Sequence, residues 1–388
     1  MKFNSSNKVY AHVDCNSFFA SCEALRNPIL KGKCVCVGGD IIVAASYEAK
    51  AYGIKTGTPI WEARRILGDR GIFINSDLAF YKTVSDKLMI YLKTVSIDMQ
   101  IFSIDEAFID ITGIPDITGQ DYKEFAISLK KNILKIIGIP VSIGVANTKI
   151  KAKIFGDINK PFGELVAFED NEISNILKKL KPGDIPFIGK KLSERLEYIC
   201  KTADDFRRLS FWKVDEILGK CGTDLWLELN GIDVMNFVGL SLPKSISRTS
   251  SFNKKITNNK DFLWGQIIIN FNKAYSELVR YNLESRVIVL YLRDKELGKY
   301  FFEYKLGDFT IIRSDILLKV RELFFSKVDF SLEYRTTGIF LSDFRQFKPK
   351  QLSMDDIENR DFEKNLKVNQ AISDLNKKYS KKIVNFGI

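Results

Sequence analysis

The sequence predicts an α+β protein of several domains, and three observations carry that prediction. The chain has 388 residues, too many for one ordinary core, which implies roughly two to four domains. Residues 1–165 alternate strand and helix patterns around an acidic pair, Asp105-Glu106, which reads as a mixed sheet with helices on one face. Residues 246–342 follow the order β-α-β-β-α-β of a split, ferredoxin-like domain.

Each element has a local reason. Val9–Val13 is a strand ending at Asp14. A helix follows, with Phe18, Cys22 and Leu25 along one face and Asn16 or Ser17 as the cap. Asn27-Pro28 stops it. Lys33–Val37 and Ile41–Ala45 are buried strands turned at Gly38-Gly39-Asp40, and Glu48–Tyr52 is a short helix closed by Gly53. Phe80–Val95 has helical spacing. Gln100–Ser103 and Ala107–Ile111 flank Asp105-Glu106 as two strands around a tight turn, or as one bent ribbon. Phe125–Ile137 is helical and Val141–Val145 is a strand. Residues 171–229 carry only helical patterns, broken by Lys181–Pro186. A connector at 239–245 interrupts the periodicity. Beyond the six-element module, Leu366–Tyr379 reads as a helix.

Composition narrows the function. Hydrophobic residues are 45% and charged residues 28%, which excludes wholesale disorder. No apolar run reaches membrane-spanning length and no secretory signal is evident, so a cytoplasmic protein is expected. A single histidine, His12, disfavours a Ser/His/Asp triad, a multi-histidine metal site and zinc fingers. The six cysteines form no CxxC pair and read as reduced, mostly buried thiols, with Cys34 and Cys36 on one face of a strand. The net charge is +11, and residues 241–388 hold 27 Lys+Arg against 18 Asp+Glu. A basic module on a nearly neutral one suggests a polyanionic partner.

Three carboxylates stand out: Asp14 at a strand end, and Asp105 with Glu106. Acids embedded in apolar sequence are costly unless a cation or a hydrogen-bond network satisfies them. Neighbours on an ideal strand point to opposite sides, so Asp105 and Glu106 need a turn or twist to face one ion. If the three converge, they make a hard oxygen site suited to Mg²⁺, of the kind that holds two ions and supports displacement at phosphorus. A solvated acidic turn is the plain alternative. Tyr47 and Lys50, three apart on a helix, and Lys160 in Asn159-Lys160-Pro161 are candidates to hold a triphosphate, or ordinary surface groups.

These pieces stand in a known order. His12–Glu23, Ala44–Ile54, Ser103–Asp110, and Ser142–Lys149 with Asn159-Lys160-Pro161 resemble the motifs of the Y-family, translesion DNA polymerases, over residues 8 to 345. The resemblance implies a right-hand architecture: palm at 1–25 and 78–166, fingers at 26–77, a small helical thumb at 167–235, a little finger at 243–345 and a tail at 346–388. It implies metal ligation by Asp14, Asp105, Glu106 and the Cys15 carbonyl, with two Mg²⁺ ions. Phe18, Phe19, Tyr47, Lys50 and Lys160 would contact the nucleotide, Phe19 as the steric gate against a 2′-hydroxyl. Ile188, Gly189 and Lys190 of a helix-hairpin-helix, with Lys244, Ser247 and Arg248, would bind DNA.

The implied activity is template-directed, error-prone synthesis from dNTPs on primer–template DNA, by a monomer without proofreading. Gln351–Asp355 resembles a sliding-clamp motif but has Asp355 where an aromatic anchor is typical. The fingers resemble those of bacterial polymerase IV, while Asn16, Cys22 and that pentapeptide resemble the catalytic subunit of polymerase V. Three positions depart from the family: Lys50 for Arg, Ala44 for Thr or Ser, and Phe187 for a glycine in the hairpin. The competing classes are a non-catalytic DNA-binding adaptor of the same fold recruited to the sliding clamp, and a nucleotidyl cyclase-like enzyme. Three retained acids argue against the first, and the basic module against the second.

Overall fold

In a computed structural model, residues 8–236, 242–252 and 256–347 are described. Gln351–Asp355 and the helix expected at Leu366–Tyr379 lie outside the described residues, as does 239–241 of the connector. The chain divides into two units, 1–239 and 240–388.

The first unit opens with β1 (Tyr10–Cys15), α1 (Phe18–Arg26), β2 (Cys34–Gly38), β3 (Ile42–Ala45), α2 (Tyr47–Ala51), α3 (Ile60–Leu67) and β4 (Gly71–Ile74). It continues with α4 (Leu78–Val95), β5 (Met99–Ile101), β6 (Glu106–Asp110), α5 (Ile114–Thr118), α6 (Tyr122–Ile137), β7 (Val141–Ala146), α7 (Lys149–Ile158) and β8 (Glu164–Val166). Helices alone follow: α8 (Asp170–Leu177), α9 (Lys190–Leu196), α10 (Ala203–Arg208) and α11 (Phe211–Leu229). Gly219, at φ 60°, kinks α11 and separates the two helices read from the sequence.

The main sheet runs β5-β6-β1-β7-β8. It is mixed, as expected, because β7 and β8 are parallel while the other pairs are antiparallel. The expectation of helices on one face is corrected: both faces are covered. Ala11, Val13 and Cys15 pack with Phe18, Tyr81, Leu88 and Leu129 of α1, α4 and α6. The other face takes α7. A Cβ on Gly144 would lie 2.0 Å from the Ala152 carbonyl oxygen, so helix and strand backbones touch there. All six residues of β1 are buried, which one covered face cannot achieve.

A smaller sheet, β3-β2-β4, carries α2 and α3. Cys34 and Cys36 share its helix-side core while Val35 and Val37 belong to the main one, the alternation the sequence implied. Five cysteines are buried and Cys221 is exposed. Neither Asn16 nor Ser17 caps α1 through its side chain; Ser17 enters the helix in a left-handed conformation at φ 46°. Among the described residues no helix is long and apolar enough to cross a membrane.

The second unit runs β9 (Ser245–Ser251), α12 (Lys260–Arg280), β10 (Leu283–Asp294), β11 (Lys299–Thr310), α13 (Arg313–Lys327) and β12 (Tyr334–Gln346). The sheet order is β11-β10-β12-β9, all antiparallel, so β12 splits the β9-α12-β10 unit. Ile246, Ile288, Leu290, Ile339 and Leu341 pack under α12 and α13. The opposite face carries an aromatic cluster, with Tyr291 ring centroids 4.9 Å from Phe301 and 5.9 Å from Phe340.

Candidate active site

The acids converge because of strand register. β1 and β6 are antiparallel with Asp14 directly opposite Glu106, so both side chains leave the same face. Glu106 is the first residue of β6, and Asp105 sits in the turn before it. Backbone bonds from Phe102 and Ser103 to the Glu106 carbonyl, at 3.0 and 3.1 Å, close that turn. The pair is therefore two strands around a turn, which sets Glu106 beside His12 and Asp14. The Asp105 carbonyl accepts the Cys15 N–H at 2.9 Å, and its carboxylate accepts the Ser103 hydroxyl at 2.5 Å.

Cations stand among these acids. Lys160 Nζ lies 2.9 Å from Asp14 Oδ1 and 2.5 Å from Asp157. Glu106 accepts from His12 Nε2 at 2.9 Å and from Lys153. Ligand atoms of His12, Asp14 and Glu106 all lie within 4.8 Å of one another. Burial pushes the Asp14 carboxyl up, and Lys160 only partly offsets it. Burial also opposes charge on Glu106, but the bonds from His12 and Lys153 outweigh it and hold that carboxyl down at about 2. The donor set of carboxylates and a nearby Cys15 carbonyl is hard oxygen, which fits Mg²⁺. The ammonium groups of Lys153 and Lys160 stabilise the same charge in the structure.

A cleft of about 230 Å³ opens from Asp14 and Asp105 toward the smaller sheet. Asp14, Cys15, Phe18, Phe19, Tyr47, Lys50, Asp105 and Lys160 all line it, so most predicted groups meet in one place; Glu106 is not among the lining residues and adjoins the cleft only through Asp14. Phe18 is mainly core, 3% exposed, whereas Phe19 is half-buried and stacks on Tyr81 at 4.5 Å and 17°. Ser46 caps α2, accepting from the Ala49 N–H, and so aims Tyr47 and Lys50 at the cleft. Lys50 Nζ lies 4.5 Å from the centre of the Tyr47 ring and donates to Ser17 Oγ at 2.8 Å. Burial, then Lys160, lowers the Lys50 pKa.

The DNA-binding candidates fall in the helical segment of the first unit and in the second unit. Ile188 is 5% exposed, and its N–H donates to the Ile185 carbonyl at 3.1 Å, so neither its side chain nor that N–H remains for a phosphate. Gly189 caps α9, and Lys190 is exposed. Phe187 adopts the φ its glycine-like position demands, 70°, at a cost of about 1–2 kcal/mol. Its ring meets Phe102 edge-on at 6.0 Å. In the second unit Lys244 and Ser247 are exposed, Lys244 just before β9 and Ser247 in it. Arg248 turns to the helix-covered side and pairs with Glu277 of α12.

Sequence reading missed His12, Lys153 and Asn16. His12 precedes Asp14 by two in a strand, so alternation alone would have put it on the acid face. Lys153 lies in α7, a helix that the sequence reading did not identify. Asn16 had no signal beyond its adjacency to Asp14 and Cys15.

Comparison with known proteins follows this geometry. The impB/mucB/samB family matches residues 13–157, and that family's C-terminal domain matches residues 243–354. A DNA polymerase IV of Dehalococcoides mccartyi is 30% identical over 90% of this chain and 90% of its own. One of Oceanobacillus iheyensis is 27% identical over 98% of this chain and 91% of its own. Among solved structures, the Y-family DNA polymerase chimera of Dbh and Dpo4 aligns with a TM-score of 0.70 at 27% identity, covering 86% of this chain and 98% of that one. An insertion ternary complex of Dbh DNA polymerase aligns at 0.57 and 26% identity, over 86% of this chain and 98% of that one.

Proposed function

The chain belongs to the impB/mucB/samB family of Y-family, translesion DNA polymerases, and from that premise we propose how its cleft works. It is a DNA-directed DNA polymerase of the polymerase IV-like type. Our reading adds that it extends a primer 3′-hydroxyl with dNTPs by two-metal nucleotidyl transfer, without proofreading. The observation that carries this is the register that sets Asp14 beside Glu106, together with Asp14 and Asp105 facing Tyr47, Lys50 and Lys160 across one cleft.

Asp14, Asp105, Glu106 and the Cys15 carbonyl would hold two Mg²⁺ ions. When bound, such ions activate the 3′-oxygen and neutralise charge on the triphosphate and the departing pyrophosphate. The chain's own groups do the rest. His12 and Lys153 fix one oxygen of the Glu106 carboxylate and leave the other to the site. Lys160, shared between Asp14 and Asp157, supplies an ammonium for which phosphate oxygens compete. Tyr47 and Lys50 bind the triphosphate beside it. Lys50 does so as a point charge, without the bidentate contact of an arginine. Phe19 is the wall beneath the sugar.

We assign palm to 1–25 and 78–166, fingers to 26–77, thumb to 167–235 and little finger to 243–345; α1 runs one residue past the first palm boundary, to Arg26, and β12 one residue past the last, to Gln346. Primer–template DNA then meets Gly189 and Lys190 of the thumb hairpin and Lys244 and Ser247 of the little finger. Clamp docking through Gln351–Asp355, a monomeric state and a cytoplasmic location complete the reading.

The test is primer extension on undamaged template with Mg²⁺, wild type against Asp105→Ala. Extension by wild type alone, with DNA affinity within about threefold between the two, is expected. Extension by Asp105→Ala would refute the role of the acids. No extension by either protein, despite DNA binding, would leave an adaptor or an obligatory partner.

A further inference from the structure

Asn16 lies where the two arms of the triphosphate pocket meet. It is 2% exposed, and its hydrogen bonds determine how its amide points. Oδ1 accepts the backbone N–H of Phe162 at 2.8 Å. Nδ2 therefore faces Ser142 Oγ, at 2.8 Å, and the Tyr47 hydroxyl, at 3.5 Å. The backbone is pinned as well: its N–H donates to the Pro140 carbonyl at 2.8 Å, and its carbonyl accepts from Ser21 Oγ at 2.6 Å. Phe162 follows Lys160 by two residues, and Tyr47 opens α2. One buried side chain thus touches both the Lys160 segment and Tyr47.

The polarity of that contact has a chemical consequence. A phenol carries one proton, and burial keeps Tyr47 in its protonated form. Where Asn16 donates to the phenol oxygen, the phenol's own proton is left for a phosphate oxygen, which can only accept. A carboxylate at position 16 would reverse this. Ser142 would rotate and donate to it, and the Phe162 N–H would still find an acceptor. Phe162 is also held by Lys130, which donates to its carbonyl at 2.8 Å. Only the phenol would lose, because its proton would be drawn to the new carboxylate.

We propose that Asn16 is a positioning residue for the incoming nucleotide, directing the Tyr47 hydroxyl proton to the triphosphate and tying the Lys160 segment to the same point. This rests on the nucleotidyl-transfer reading of the cleft.

The experiment is single-nucleotide insertion by the full chain on undamaged primer–template with Mg²⁺. Wild type, Asn16→Asp, Tyr47→Phe and the double variant are compared, with melting temperature and DNA affinity recorded for each. Asn16→Asp should raise the dNTP KM about tenfold, as for one lost hydrogen bond to a charged group, with kcat within about twofold. Tyr47→Phe should do the same, and Asn16→Asp should add nothing in the Tyr47→Phe background. A merely structural role would instead lower melting temperature and kcat together. An unchanged KM in Asn16→Asp, or additive losses in the double variant, overturns the proposal. Asn16→Ser is the second variant should the aspartate fail to fold; its shorter reach should raise KM alike, and a wild-type KM in it would be equally fatal. If wild type itself inserts no nucleotide, the nucleotidyl-transfer reading fails and this inference with it. If wild type inserts normally and Asn16→Asp matches it, only the role of Asn16 fails.

Discussion

If Phe19 is the steric gate proposed above, replacing it by alanine should admit ribonucleotides, and the packing of its ring sets the size of the effect. Its ring stacks on Tyr81 at 4.5 Å and 17°. Tyr81 is fully buried, and its hydroxyl donates to Glu23 Oε1 at 2.7 Å. Glu23 is gripped by Arg26 at 2.8 Å to both oxygens, and Arg26 reaches Asp77 at 2.9 Å. The ring thus cannot yield to a 2′-hydroxyl without disturbing a braced network. Removing a wall that rejects one small group is worth about 1–3 kcal/mol, or roughly 10- to 200-fold in discrimination. Loss of the stack alone is worth about 1 kcal/mol, so Tyr81→Leu should relax discrimination by about fivefold. Tyr81→Phe keeps the ring and should change it little. The assay is the ratio of kcat/KM for dNTP over the matching rNTP, measured within each variant. Any general loss of folded protein cancels in that ratio. A Phe19→Ala ratio within twofold of wild type would refute the steric-gate role, and with it the placement of the sugar against this ring.

Two further outcomes test other parts of the molecule. Removing residues 243–388 should weaken DNA binding and flatten its dependence on salt, because that segment carries most of the basic excess; an unchanged slope of affinity against salt would move the DNA contact elsewhere. Lys151 of α7 is 2% exposed, and burial, then Arg207, lowers its pKa to about 8. Its unfolded value is near 10.4, so between those values the unfolded chain binds more protons and stability should rise with pH. Below about pH 8 the ammonium is charged in both states, and its burial costs on the order of 3 kcal/mol. Lys151→Met should therefore be more stable at pH 7 and lose the alkaline rise. Urea unfolding at pH 7 and pH 10 measures both, and a destabilised Lys151→Met would show that the ammonium has a partner in the fold.

The departures from expectation have identifiable causes. Helices were expected on one face of the main sheet because no helix was read at residues 149–158, the segment that forms α7. Its close approach depends on Gly144 and Gly156 meeting backbone to backbone, which periodicity does not register. Ser17 looked like a cap because of its residue type, but its hydroxyl serves Lys50 instead. Arg248 was a DNA-binding candidate by family resemblance; strand alternation sends it under α12 to Glu277, while Ser247 faces the other way. Phe187 stands where the family usually has glycine, and it adopts the left-handed turn with its ring against Phe102.

What the sequence determined by itself was chemistry and order: three acids in apolar strands, an aromatic pair after the first, and lysines at intervals beyond. Those are properties of residue type and local spacing, which periodicities of two and 3.6 translate into strands and helices. What only the tertiary structure decided was partnership. The register that sets Asp14 opposite Glu106, the approach of Lys160 to Asp14, and the burial of Asn16 among Ser142, Tyr47 and Phe162 join residues up to 146 positions apart. Contacts at such separation depend on how whole elements stack, and no local pattern encodes which distant side chain arrives.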